Sequence, residues 1–223
     1  MTEPGQTVQP GHHAPDFVVP AVHEEREISL TDYRGKSPLL LGLFPGLYCP
    51  FCRRALAQMA ASSDQLKSIG VDSLAIVGTD LDNARLYFKF RPTRMPLGAD
   101  PHLTTHRSYG VPMHPMTPDM MQLMGETYVN PTGELPAPLP VREAAAALTA
   151  LEGYRLTPTD ERESAATFGQ LKGQFLIDRE GVVRWANIEC SKEGLSGVGK
   201  FPSHDELIGA ASRFIGGGAP VRT

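Results

Sequence analysis

The sequence predicts an α/β protein built on a central sheet, and three observations carry that prediction. The run PLLLGLF, residues 38 to 44, is apolar on both alternating faces, as a strand covered on each side must be. A helix-spaced segment follows it, and VDSLAIVG then LDNARLYFKF repeat the strand–helix order, which implies a parallel sheet core. Near the C-terminus, GQFLIDREGVVRW places strand-type runs on either side of the turn residues Asp178 to Gly181 and reads as a hairpin.

Residues 1 to 14 carry Pro, Gly and a His pair without apolar periodicity, so a flexible or surface-hugging arm is expected. DFVVP and REISL read as short strands, with Gly35 ending a turn after the second. Beyond Cys52, the residues Ala55, Leu56, Met59, Ala60, Leu66 and Ile69 fall near helical spacing, and Gly70 stops the helix. PLGAD is a short extended piece leading into a helix in HLTTHRSYGV.

Residues 112–170 do not fit the alternation and are too many for a structureless loop, which is expected to stay below about 12–15 residues. They are read as a mostly helical insertion, lid or subdomain, within a single domain spanning 1–223. Thr117-Pro118 resembles a helix start, NPTGELPAPLP a linker, and VREAAAALTALEGY a strong helix former closed near Gly153. In the last element Ser203 and Glu206 have the form of a capping box, and Leu207, Ile208, Ala211, Phe214 and Ile215 make one apolar face that glycines terminate. No internal repeat is evident.

The net charge of −4 is spread over interspersed acidic and basic residues, which argues against a nucleic-acid or anionic-membrane surface. The N-terminus lacks a charged start followed by an apolar run, and no segment approaches the ~20 apolar residues that span a bilayer. A soluble, cytoplasmic protein is expected, and its 223 residues can bury a core without covalent help. Cytoplasmic thiols are kept reduced, so a close cysteine pair there is catalytic, redox-sensing or metal-binding more often than structural.

Such a pair stands in FPGLYCPFCRR, residues 44 to 54: Cys49 and Cys52 between a buried strand and a helix start, with Arg53 and Arg54 following. A thiol attacks only as thiolate, and a helix N-terminus beside cationic groups lowers its pKa. Two sulfurs so placed can close a disulfide and reopen it.

YCPFC after an apolar strand resembles the active-site turn of the thioredoxin superfamily, with a Pro-aromatic filling similar to glutaredoxins. GHHAPDF, SLTDYRGK, ADPHLTTHRSYGV and FLIDREGVVRW, in that order, resemble the alkyl hydroperoxide reductase / thiol-specific antioxidant (peroxiredoxin-like) family over residues 11 to 111 and 171 to 215. The resemblance implies a thioredoxin-like three-layer sandwich with a central mixed sheet, an N-terminal extension and the insertion. It also implies an antioxidant oxidoreductase reducing hydroperoxides through a Cys49/Cys52 dithiol–disulfide cycle. Its partners would be a peroxide or disulfide substrate and a thiol reductant of thioredoxin, glutaredoxin or glutathione type; relatives commonly form homodimers, and no cofactor or metal is implied.

Laid on the peroxiredoxin pattern, Pro45 matches the family Pro, Cys49 takes the Thr/Ser position, Cys52 falls on the peroxidatic cysteine, and Lys172 stands where an Arg is usual. In that reading Cys52 attacks peroxide and Cys49 condenses with the sulfenic acid. A thioredoxin-like reading, as a disulfide reductase, makes Cys49 the nucleophile; there the superfamily places a proline facing the disulfide, and LKGQF has none. A third reading is a redox-gated binding module without turnover, using the Met-rich insertion to hold a partner or Cu(I). Arg53, Arg54 and Lys172 are candidates for thiolate stabilisation, and Pro45, Tyr48 and Phe51 for shaping the site. Cys190 is read as a small buried hydrophobe, with an extra resolving thiol as its alternative. His102 and His106, like His12 and His13, are read as solvated rather than metal-binding; Met120, Met121 and Met124 as a packing face; Trp185 as part of the hairpin core.

Overall fold

The computed structural model describes residues 6–215, apart from the side chain of Phe214. The strands are β1 (Val18–Pro20), β2 (Glu27–Ser29), β3 (Leu39–Phe44), β4 (Asp72–Val77), β5 (Leu97–Ala99), β6 (Tyr128–Val129), β7 (Leu139–Pro140), β8 (Gly173–Ile177) and β9 (Val183–Ile188). The helices are α1 (Pro50–Ser68), α2 (Leu81–Phe90), α3 (Thr104–Ser108), α4 (Pro118–Glu126), α5 (Val141–Glu152), α6 (Pro158–Thr167) and α7 (His204–Ile215). Five strands form the central sheet in the order β5-β4-β3-β8-β9. β3, β4 and β5 run parallel, whereas β8 is antiparallel to β3 and β9 to β8, so the sheet is mixed and the fold is thioredoxin-like.

Alternation along β3 sorts its side chains between two cores. Leu40 and Phe44 pack with α1, α2 and α7, while Leu39, Leu41 and Leu43 pack with the N-terminal segment and Tyr109. The N-terminal arm is a cover for that second face. Val8 is fully buried and donates to the Tyr109 carbonyl, while the amides of Gly11 and Ala14 donate to Val183 and Gly181.

Residues 112–170, expected as an insertion, contribute no strand to the main sheet. They hold α4, α5 and α6, and their Pro-rich stretch is not wholly a linker, because its end, Leu139–Pro140, pairs with β6 as a two-stranded ladder. α6 is an element that apolar periodicity does not announce, since its buried residues are Asp160 and Glu163. Its start is nonetheless written locally: the Thr157 hydroxyl accepts from the Asp160 amide, the Asp160 carboxylate accepts from the Thr157 amide, and Pro158 stands at the first position. Asn83 and Tyr154 donate to Asp160, and Thr79 donates to Glu163, tying α6 to the start of α2.

The capping box of α7 is formed: the Ser203 amide donates to Glu206, whose own amide donates back to the Ser203 hydroxyl. The glycines expected to end α7, residues 216–218, lie outside the described residues. Among the described residues no helix is long and apolar enough to cross a membrane.

Candidate active site

β3 delivers the chain to the top of the sheet, where Pro45 to Tyr48 form a short turn and Cys49 becomes the N-cap of α1. Cys49 has extended backbone angles, Pro50 follows at the first helical position, and the Cys49 sulfur accepts from the Cys52 amide at 3.4 Å. A helix start leaves amide groups without intrahelical partners, and the sulfur takes the part usually played by a Ser or Thr oxygen. A cysteine at the position where peroxiredoxins carry a hydroxyl is therefore compatible with the local fold.

The two sulfurs differ in access. Cys49 is half-buried on the wall of a cavity of about 760 Å³, whereas Cys52, one turn on, is 1% exposed. They differ in acidity in the same sense. Hydrogen bonding from the Cys52 thiol is the largest influence on Cys49; with the Lys172 charge and the Cys52 amide it outweighs burial and Glu189, bringing the pKa down to about 7. Burial, and then the proximity of Cys49, push the Cys52 thiol well above the ordinary value.

Lys172 arrives from the other strand. Because β8 is antiparallel to β3, with Gly173 opposite Leu43, the residue preceding β8 lies at the same sheet end as the cysteine turn. Its ammonium is buried and donates to Glu189, which also accepts from the amides of Lys172 and Gly199. Burial works against this charge, but Glu189 and the two cysteines more than compensate and raise the Lys172 pKa above its ordinary value. Glu189 is the site residue that sequence reasoning missed.

The arginines after the motif are engaged elsewhere. Arg53 pairs with Glu152 at 2.6 Å, donates to the Leu47 and Tyr48 carbonyls, and lies 4.2 Å over the Tyr154 ring. Arg54 pairs with Glu134 and Glu152 at 2.7 and 2.6 Å and donates to the Leu148 carbonyl. Both guanidinium groups thus brace the insertion against the first turn of α1. The cation among the groups acting most strongly on Cys49 is Lys172.

Tyr48 and Phe51 line the cavity, and the Tyr48 hydroxyl lies 2.9 Å from that of Thr167 at the end of α6. Burial, then Cys49, hold its pKa above the ordinary value, so Tyr48 stays neutral. Met116, Met120 and Met124 also line the cavity, with Met124 buried in an apolar cluster that joins residues of the insertion to Phe51 of α1. Trp185 packs against the α1–α7 core.

Cys190 is half-buried at a left-handed φ of 64° and opens onto a different hollow, its pKa pushed up to about 12, mainly by burial. His106 departs from expectation, being fully buried rather than solvated. Among the described residues no three His, Cys, Asp or Glu side chains gather as metal ligands.

The family model for the AhpC/TSA family matches residues 10–186. The chain belongs to the AhpC/TSA family. It is a thiol-dependent oxidoreductase with a thioredoxin-like fold. Similar solved structures include peroxidoxin BcpB from Mycobacterium tuberculosis (TM-score 0.56, 12% identity, covering 97% of this chain and 99% of that one). A protein described as a DsbE-type thiol:disulfide interchange protein from Chlorobium tepidum is also similar (TM-score 0.52, 18% identity, 92% and 99% covered). So is the reduced 2-Cys peroxiredoxin of Plasmodium vivax (TM-score 0.50, 18% identity, 82% and 72% covered). At these identities the structural likeness carries the fold. A search of curated proteins found no match.

Proposed function

We propose that this AhpC/TSA-family protein reduces hydroperoxides through Cys49, with Cys52 as the resolving thiol. The observation that carries the reading is the division of the pair: a half-buried Cys49 sulfur at the N-cap of α1, on a cavity wall, with the buried Cys52 thiol one turn behind it. Cys49 thiolate attacks the terminal oxygen of the hydroperoxide, the O–O bond breaks, and the alkoxide leaves with a proton from water. Cys49 is left as a sulfenic acid. The Cys52 thiol then attacks the Cys49 sulfur and displaces water, forming the Cys49–Cys52 disulfide. An external thiol reductant restores the dithiol by exchange, attacking from the accessible Cys49 side.

This order reverses the one that the peroxiredoxin pattern implies, where the residue at the Cys52 position attacks. Burial and a raised pKa both argue against Cys52 as first nucleophile, because only the thiolate attacks and it must meet its substrate. The same low pKa of Cys49 favours a second reading, in which its first substrate is a disulfide and the protein acts by thiol–disulfide exchange.

Stopped-flow oxidation of the reduced protein by hydrogen peroxide, cumene hydroperoxide and a small disulfide separates these readings. A fast hydroperoxide phase is expected in wild type, absent from Cys49→Ser, and present for one turnover in Cys52→Ser with a trappable sulfenic acid. A fast phase kept in Cys49→Ser and lost in Cys52→Ser would reverse the roles. Reaction with disulfide but with no hydroperoxide, beyond the rate of a free thiol, would leave only the exchange reading.

A further inference from the structure

The Met-rich stretch at residues 113–124 plays no part in the reaction above, yet three of its side chains share a cavity with the cysteine pair. Met116, just before α4, and Met120 and Met124, one turn apart on it, line the same space as Cys49 and Cys52. Met116, Met120 and Cys49 are each half-buried and pack against the apolar cluster that contains Phe51 and Met124. The two cysteine sulfurs are within hydrogen-bonding reach of each other. Two thiols and a set of thioethers thus border one cavity.

The donor set decides which ion it suits. Thiolate and thioether sulfur are soft ligands, and together they favour Cu(I). Hard cations need oxygen ligands, and the one carboxylate lining the cavity, Glu189, is engaged by Lys172. Zinc takes its ligands from Cys, His, Asp and Glu, in most sites three or four of them. His114 lines the cavity as well, but among the described residues no three side chains of those types gather. A further ligand to the cysteine pair is therefore a thioether, which suits Cu(I) and not zinc. Charge acts in the same sense. Arg142 and Arg155 border the cavity, a setting that repels a divalent cation but favours a Cu(I) bis-thiolate, whose net charge is negative.

We infer that the reduced protein binds a Cu(I) ion between the Cys49 and Cys52 thiolates, with thioether sulfur from Met116 and Met120 completing its coordination. Binding exchanges the two thiol protons for the ion and moves no electron. Oxidation of the pair to the disulfide passes two electrons to the hydroperoxide or disulfide that closes it, leaves no thiolate, and releases the ion. Occupancy in turn keeps both thiols from attack, so ion and oxidant exclude each other. The inference goes beyond the hydroperoxide reading and holds whichever oxidant closes the pair.

The test is anaerobic titration with Cu(I), supplied as its acetonitrile complex, against bicinchoninate as a coloured competitor. It compares reduced wild type, disulfide wild type, Cys49→Ser and Met116→Leu/Met120→Leu; leucine conserves apolar volume, so the methionine variant is expected to fold. Reduced wild type should take up one ion per chain, and the disulfide form and Cys49→Ser should leave the competitor saturated. The methionine variant should bind at least roughly tenfold more weakly, because even the residues behind a metal's ligands are worth that much. No uptake by reduced wild type, or equal uptake by the disulfide form, would overturn the inference, and that comparison needs no substitution. An affinity unmoved in the methionine variant would also overturn it, since the cysteines would then bind alone. None of these outcomes decides whether the metal-free reduced protein consumes hydroperoxide, which the stopped-flow measurement settles separately.

Discussion

Lys172 and Glu189 occupy the rung just beyond the end of the β8–β9 ladder, and their side chains close a buried ion pair beside the two cysteines. The Glu189 amide donates to the Lys172 carbonyl at 3.0 Å, so the backbone pairing that aligns the strands also brings the charges together. The pair joins sheet geometry to thiol chemistry: Lys172 lowers the Cys49 pKa, and Glu189 keeps Lys172 charged.

Breaking the pair should therefore affect stability and acidity separately. In Lys172→Met the Glu189 carboxylate is left buried without its counter-charge, and a loss of about 3–5 kcal/mol is expected in denaturant unfolding of the reduced protein. The Cys49 pKa should rise as the favourable charge is removed. In Lys172→Met/Glu189→Leu part of the stability should return, because neither charge remains, while the Cys49 pKa stays above the wild-type value. A single variant as stable as wild type would show that the pair is not sealed from water.

The Cys52 thiol is the largest influence on Cys49, so Cys52→Ala should move the Cys49 pKa from about 7 toward the ordinary value of about 8.5. Thiolate is the form favoured as pH rises through that pKa, so alkylation of wild-type Cys49 should climb across neutral pH and reach its plateau earlier than in the variant. At neutral pH the variant loses thiolate, but its thiolate is intrinsically the stronger nucleophile; the net fall in alkylation rate should be roughly threefold. Ultraviolet absorbance of the thiolate gives the pKa directly. An unchanged titration in Cys52→Ala would remove Cys52 from the account of Cys49 acidity.

The arginine clamp gives a contrasting expectation. Arg54→Gln loses its paired contact with Glu134 and its contact with Glu152, and should cost about 1–3 kcal/mol of stability. The Cys49 titration should stay where it is, because the groups acting on it are Cys52, Lys172 and Glu189. A rise of a full pKa unit would return Arg54 to the role of thiolate stabiliser.

These residues also show what could be read in advance. The buried strand, the turn and the amphipathic helix around Cys49 and Cys52 are local patterns, and local patterns are legible. The Lys172–Glu189 pairing is not, for a specific reason. Counting back from the turn, where Ile177 faces Val183, an unbroken hairpin would set Lys172 against Ile188; the irregularity between Leu176 and Ile177 shifts the register and brings Glu189 opposite instead. Arg53 and Arg54 stand where a thiolate-stabilising cation is expected, but their partners Glu152 and Glu134 lie 99 and 80 residues further along the chain, in the insertion. α6 hides because its buried face is polar, although Thr157, Pro158 and Asp160 announce its start.

His106 carries the last prediction, on acid stability. It is 0% exposed, neither ring nitrogen has a hydrogen-bond partner in the protein, and burial, the largest influence, depresses its pKa to about 4. Asp100 opposes that shift and Arg107 reinforces it. The unfolded chain binds a proton at His106 below about pH 6.5, whereas the folded chain resists protonation until about 4, so between these values the unfolded state holds more protons and stability falls as pH drops. The depressed pKa corresponds to about 3 kcal/mol lost across that window. His106→Leu removes the titrating group, and its stability between pH 6.5 and 4 should decline less steeply than that of wild type by about that amount. Parallel acid limbs for the two proteins, measured by denaturant unfolding at fixed pH steps, would mean that His106 is protonated in the folded state as readily as in the unfolded one.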